Sequence, residues 1–304
     1  MGKTKMNIIK HKNIFFTFSI AITLAGLIAL YAWGLKLGID FAGGTLWEIK
    51  LTEKSSLSPQ EIEKTFEENG AEISSIARTS ENSALVRMKA TEEEKISTLK
   101  QKLNETYGKV EDVRLETVGP TVSKELTEKA IYAVAMTIGA IVIYVTWAFR
   151  KVPKPASSLA FGVSTVIALV HDVVVVIGAF SILGHFLGLE VDSLFITALL
   201  TVLGFSVHDT IVVFDRIREN LRRHSASSLE EIVNHSILQT LARSLNTSLT
   251  VVIVLSALLL FGGESIRPFI IALLIGVVTG TYSSIFIASP LLVVWNNIRS
   301  KSKR

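Results

Sequence analysis

Cysteine is absent from this 304-residue chain, which excludes disulfides and thiolate metal sites. A phosphate-binding loop is missing as well: the paired glycines Gly43 and Gly44 lack the spacing and the lysine that such a loop requires. No paired-aspartate motif and no credible serine nucleophile accompany the apolar runs, so intramembrane proteolysis has no machinery to use. The cation excess is small, a formal +4, and no clustered patch suggests a nucleic-acid footprint. Charge of either sign is scarce over long stretches. That last scarcity is the informative one.

Runs of about 20 apolar residues can span a bilayer, and they occur over 14–35, 130–149, 155–183, 193–214, 244–261 and 268–295. The first has no small-residue cleavage pattern after Trp33, so it reads as a retained anchor. Cations collect at alternate ends of the runs: Lys3, Lys5, Lys10 and Lys12; Arg150, Lys151 and Lys154; Arg216, Arg218, Arg222 and Arg223; then Arg299, Lys301, Lys303 and Arg304. The other short connections carry Glu190, Asp192 and Glu264 against Arg267. The positive-inside rule then expects a cytoplasmic N-terminus (1–13), a basic cytoplasmic tail (297–304), and the polar stretch 36–127 on the outer side. The transmembrane helices expected are 14–35 and five more within 128–296.

The outer stretch has a readable order. "TLWEIKL" (45–51) alternates like a strand, and "SPQEIEKTFEENG" (58–70) has Ser58, Pro59, Glu61 and Gly70 in the order of a capped helix. "AEISSIARTS" and "SALVRMK" read as strands joined near Glu81–Asn82. "TEEEKISTLKQKLNETYG" (91–108) repeats the helix syntax with Thr91 as cap, and "VEDVRLETV" closes as a strand. The expectation is a small α+β, ferredoxin-like β-α-β-β-α-β domain. It contains no catalytic constellation, and it reads equally as a spacer or a binding module.

The apolar runs hold ionisable residues. "GFSVHDTIVVFDRIREN" (204–220) places His208 and Asp209 in the fourth run and Asp215 and Arg216 at its edge. An acid inside a bilayer costs about 2.5–3.5 kcal/mol on insertion scales, and it usually faces the bundle interior or a wet cavity. "LARSLNTSLT" opens the fifth run with Arg243, Thr247 and Thr250 in one stripe. Arg243 falls near the membrane level of Asp209, which suggests that the two face each other across a helix seam. Either a proton-handling pair or a static ion pair fits the pattern. The third run adds His171 and Asp172. Two His–Asp pairs suit a divalent-cation carrier in ligand type, but adjacent helical residues point about 100° apart, unlike metal ligands at i, i+4. Gly276, Gly280, Ser283 and Ser284 in the last run read as a small-residue packing seam.

"GIDFAGGT", "VGPTVSKEL", the mid-run "HD", "GFSVHDTIVVFDRIREN" and "QTLARSLNTSLT" resemble, in that order, the SecF family of bacterial protein-export subunits. The motif positions are Gly38, Asp40, Phe41, Gly43, Gly44, Gly119, Pro120, Asp215 and Arg216. His208 stands where the family usually has asparagine, and Ser123 where glycine is commoner. The resemblance implies an all-α membrane bundle of six helices, like half of an RND-type transporter. It implies pairing with SecD, association with the SecYEG channel and YajC, contact with unfolded preprotein and membrane lipids, and no nucleic acid. The implied activity is non-enzymatic, without cofactor or metal: coupling of the proton-motive force to late steps of export. Asp209 and Arg243 are then the proton-handling residues, with His208, Asp172 and His171 nearby, and a SecD acid is the arginine's partner. The rival expectations are an RND-type small-molecule or lipid exporter half, a cation carrier, and a structural scaffold.

Overall fold

The computed structural model describes residues 7–52, 59–80, 82–223 and 226–301. The expected cap Ser58, the turn residue Glu81 and the terminal cations Lys3, Lys5, Lys303 and Arg304 lie outside them. In chain order the elements begin with α1 (Lys12–Trp33), a short α2 (Ile39–Ala42), β1 (Gly44–Leu51), α3 (Pro59–Glu68), β2 (Ile73–Ser80) and β3 (Ser83–Met88). They continue with α4 (Glu93–Tyr107), β4 (Val110–Val118), α5 (Pro120–Ala148), α6 (Ser158–Leu187), α7 (Ser193–Arg223) and α8 (Leu229–Phe261). The last span is α9 (Arg267–Ser283), a π-turn (Ser284–Ala288) and α10 (Ser289–Lys301). Two compact units result: Leu37–Ile131, and the remainder of the chain.

The Leu37–Ile131 unit is a four-stranded antiparallel sheet in the order β2-β3-β1-β4. Trp47, Ile49 and Leu51 recur every second residue of β1, so one strand face supplies three buried side chains. Ile62 and Phe66 of α3, with Ile96, Leu99 and Leu103 of α4, repeat every three or four residues and cover that face. The Trp47 indole N–H donates to Asp112 Oδ1 at 3.0 Å, which gives the buried ring its polar partner. Gly44 is irreplaceable by geometry: its φ is +133°, and a Cβ there would stand 2.8 Å from the Met88 carbonyl oxygen. The cap of α4 falls on Glu92 rather than Thr91. Thr91 is occupied otherwise, its N–H donating to Thr45 Oγ1 and its hydroxyl to the Lys89 carbonyl.

Six helical segments among the described residues are long and apolar enough to cross a membrane: Ile9–Trp33, Pro120–Ala148, Ser158–Leu187, Ser193–Arg223, Leu229–Phe261 and Arg267–Arg299. Several outrun the apolar stretches of the sequence. α7 and α8 continue through the charged "FDRIREN…" connection, so it is no separate surface helix. There α8 starts on a full capping box of Ser228 and Glu231, and Leu229, Ile232 and Val233 are buried near Ile8 and Ile9. Asn234 Oδ1 accepts the Ile8 N–H at 2.8 Å and ties the N-terminal segment to α8.

Glycines bring helices together where the carboxylates sit. Gly178 of α6 lies so close to Gly26 of α1 that a Cβ would reach 2.4 Å from its Cα. A Cβ on Gly276 would meet Val202 at 2.1 Å, and one on Gly280 would meet Ser206 at 2.8 Å. The last span therefore presses on α7 at backbone distance, as small residues allow in lipid. The seam expected at Gly276 and Gly280 is present.

Candidate functional site

The inward face of α7 carries Ala198, Val202, Ser206, Asp209 and Val213, all buried. Thr197, Thr201, Gly204 and His208 lie one position away and form an exposed stripe. A step of about 100° per residue separates the two faces. Asp209 is 2% exposed, and its Oδ2 accepts from Thr281 Oγ1 at 3.2 Å and from Ser248 Oγ at 3.5 Å. Thr281 and Ser248 also bond each other. Each hydroxyl has one proton and several acceptors: Thr281 also reaches the Val277 carbonyl at 2.9 Å, and Ser248 the Ser244 carbonyl at 2.9 Å.

Asp172 of α6 is fully buried. Its Oδ2 accepts from Ser206 at 2.6 Å and Ser283 at 2.7 Å, and its Oδ1 lies 3.0 Å from His171 Nδ1. His171 is therefore oriented by the neighbouring carboxylate, and its Nε2 is buried without a partner among the described residues. The imidazole borders an apolar cavity of about 500 Å³ between α1, α6 and the last span, which also touches Phe16, Ile20, Ile287 and Leu291. Such a lining offers water few hydrogen-bond partners. Ser284 completes the hydroxyl run, with Thr210 at 2.7 Å and the Ser206 carbonyl at 3.0 Å.

The expected pairing of Asp209 with Arg243 is not formed within this chain. From Arg243 onward the buried residues of α8 are Ser244, Ser248 and Leu255, whereas Arg243, Thr247 and Thr250 form an exposed stripe. Arg243 lies five residues along α8 from Ser248 and on the exposed side, and α8 presents Ser248 to the acid instead. Asp215 pairs with Arg218 within α7, whereas Arg216 reaches Gln239 Oε1 at 2.6 Å on α8 as well as Glu219. No three His, Asp or Glu side chains converge as metal ligands among the described residues, and His208 is exposed. In the Leu37–Ile131 unit, Gly38 opens α2, Asp40 and Phe41 lie within it, and Gly43 closes it at φ +73°. Gly119 and Pro120 mark the start of α5.

Sequence reasoning missed Ser206, Ser248 and Thr281, and it read Ser283 and Ser284 as packing alone. Serine and threonine in a helix usually bond the carbonyl a turn back, and several here do so as well. The available signal was phase: Ser206 lies three residues before Asp209, on the same face.

Residues 98–298, which include both acids and all the hydroxyls around them, match the family model for the protein export membrane protein SecD/SecF, C-terminal. The protein translocase subunit SecF of Thermobaculum terrenum is 45% identical over 96% of this chain and 94% of its own. The chain belongs to the SecF branch of the SecD/SecF family. The SecF subunit of Anaerolinea thermophila is 43% identical over 96% of this chain and 94% of its own. The translocase subunit SecDF of Bacillus subtilis is 39% identical over 96% of this chain, which corresponds to 38% of that longer protein. The crystal structure of SecDF from Thermus thermophilus, a translocon-associated membrane protein, superposes with a TM-score of 0.82 at 34% identity, covering 97% of this chain and 39% of that one. Within the SecF family, then, this is a multi-pass membrane protein with a small antiparallel sheet domain.

Proposed function

We propose that this SecF-family chain acts in protein export as a non-enzymatic partner of SecD, coupling the proton-motive force to late movement of unfolded preprotein through the SecYEG channel, with YajC associated. Both termini lie in the cytoplasm, and the outer domain, read as ferredoxin-like from its strand order, meets the emerging polypeptide. The bundle is read as half of an RND-type arrangement. The observation that carries this reading is Asp209: an acid 2% exposed inside a span, held by hydroxyls rather than by a cation of its own chain. Hydroxyls donate to a carboxylate and accept from a carboxylic acid, so both protonation states can be housed, each with its own set of hydrogen bonds. Fused SecDF relatives give the reason to place SecD beside this chain. The exposed stripes of His208 on α7 and Arg243 on α8 suit a partner that brings its own acid to Arg243.

A charge crossing the membrane potential carries about 2.3 kcal/mol per 100 mV, enough to bias a conformational equilibrium of a few kcal/mol. Proton arrival at Asp209 would favour one helix arrangement and release the other, with the outer domain following. Asp209→Asn tests this in inverted membrane vesicles. The expected result is retained assembly with SecD and loss of the gradient-dependent part of export. Unchanged gradient-dependent export would remove Asp209 from the mechanism.

A further inference from the structure

Asp172 and Asp209 stand on different helices, yet both are held from one turn of the last span. Thr281 donates to Asp209 at 3.2 Å, and two residues on Ser283 donates to Asp172 at 2.7 Å. The next residue, Ser284, begins the π-turn Ser284–Ala288, and it too touches α7. A π-turn is an extra residue in the helix, a feature frequent at functional sites and a place where helical register can shift locally. Gly276 and Gly280 hold α9 against Val202 and Ser206, just before the hydroxyl run. One rigid contact is thus followed by two polar ties and then by a deformable turn.

The titratable surroundings leave little else to join the acids. Asp172 faces His171 on its own helix and Ser206 on α7. The last span adds Ser283 and Tyr282, whose ring centre is 6.5 Å from the imidazole, and α1 contributes Ser19, bonded to that tyrosine. Asp209 has His208 beside it in sequence and receives Ser248 from α8 and Thr281 from α9. Arg243 is on the exposed side of α8. Among the described residues, no lysine or arginine forms a salt bridge with either acid.

We propose that Thr281 and Ser283 are positioning residues that link the two acids: the turn they share, freed by the π-turn behind it, makes proton occupancy at Asp172 depend on that at Asp209. A proton on Asp209 satisfies one of its oxygens and releases Thr281 to its other acceptors, the Val277 carbonyl and Ser248. The turn then relaxes, and Ser283 shifts on Asp172. His171, anchored through Nδ1 with Nε2 unpartnered, lies beside the second acid. This inference rests on the proton-handling reading of Asp209, but it concerns linkage between sites and not export itself.

Infrared difference spectroscopy of the full chain in lipid nanodiscs, titrated with pH, tests the link. The protonated-carboxyl band lost in Asp172→Asn identifies that acid. The expected result is that Asp209→Asn moves the midpoint of this band by about one pH unit, the scale of interacting sites. The movement should vanish in the Thr281→Val/Ser283→Ala background and return with Thr281→Ser/Ser283→Thr, which keeps the hydroxyls. Three results overturn the proposal: no Asp172 band at any pH, no movement on Asp209→Asn, or a movement that survives loss of both hydroxyls, which would mean direct charge interaction through space. Export measurements separate the two readings. Normal gradient-driven export in Asp209→Asn would end the proposed function while leaving the spectroscopic link intact.

Discussion

The two units of this protein place polarity in opposite ways. In the Leu37–Ile131 sheet domain the interior is Trp47, Ile49, Ile62, Phe66 and Leu99, and charge is outside. In the helical bundle Asp172, Asp209, Ser206 and Ser283 are inside, while Leu249, Ile253, Leu260 and Phe261 are exposed. The difference follows from the solvent. Water rewards burial of apolar surface, at about 25 cal/mol per Å². Lipid gives apolar side chains no reason to leave it, so helix contact depends on close packing and on polar groups finding one another. A buried acid in the sheet domain would be a defect. In the bundle, the interior is where an acid is least costly.

The contrast can be broken most forcefully in the sheet domain. Trp47→Ala removes the largest inward ring and should destabilise that unit by about 3–5 kcal/mol, read as early loss of amide hydrogen-exchange protection in its strands while the membrane helices keep theirs. Simultaneous loss of both signals would show that the units do not melt separately. In the bundle, Ser206→Ala deletes a 2.6 Å bond to Asp172 and should cost about 1–3 kcal/mol in thermal stability in nanodiscs. A neutral result would mean that Ser283 and His171 alone satisfy the carboxylate. Smallest of all is the surface of the sheet domain. The hydrogen bond and charge of Lys102 hold the Glu105 carboxyl below its ordinary range. A depressed carboxyl contributes stability at neutral pH that disappears as pH falls through the carboxylate range. Because the group is fully exposed, Lys102→Ala should leave the melting midpoint at neutral pH almost unmoved. A clear drop would contradict the view that charge on this surface is energetically idle.

How far the site could be read beforehand depended on the helix concerned. The unusual acids Asp172 and Asp209 were identifiable because a carboxylate in an apolar run has few uses. Which side chains would hold them was not. On α8, Arg243 and Ser244 differ by one position, and the arginine is the more conspicuous residue, yet Ser244 and Ser248 face inward. The long cation can reach outward from the bundle, whereas a short hydroxyl fits a close helix contact. Thr91 likewise had the chemistry of a helix cap, but its N–H is held by Thr45 of β1 and its hydroxyl by the Lys89 carbonyl. In both places a local rule was overtaken by a contact distant in sequence.

Composition and periodicity by themselves determined that a small sheet domain follows the first apolar span in the chain and precedes the others, because span length and strand alternation are local requirements that each segment meets alone. Only the tertiary structure decided that Asp209 is held by Thr281 and Ser248, and Asp172 by Ser206 and Ser283. Those choices depend on the rotation of each helix about its axis, which glycine contacts between spans set and no single span contains.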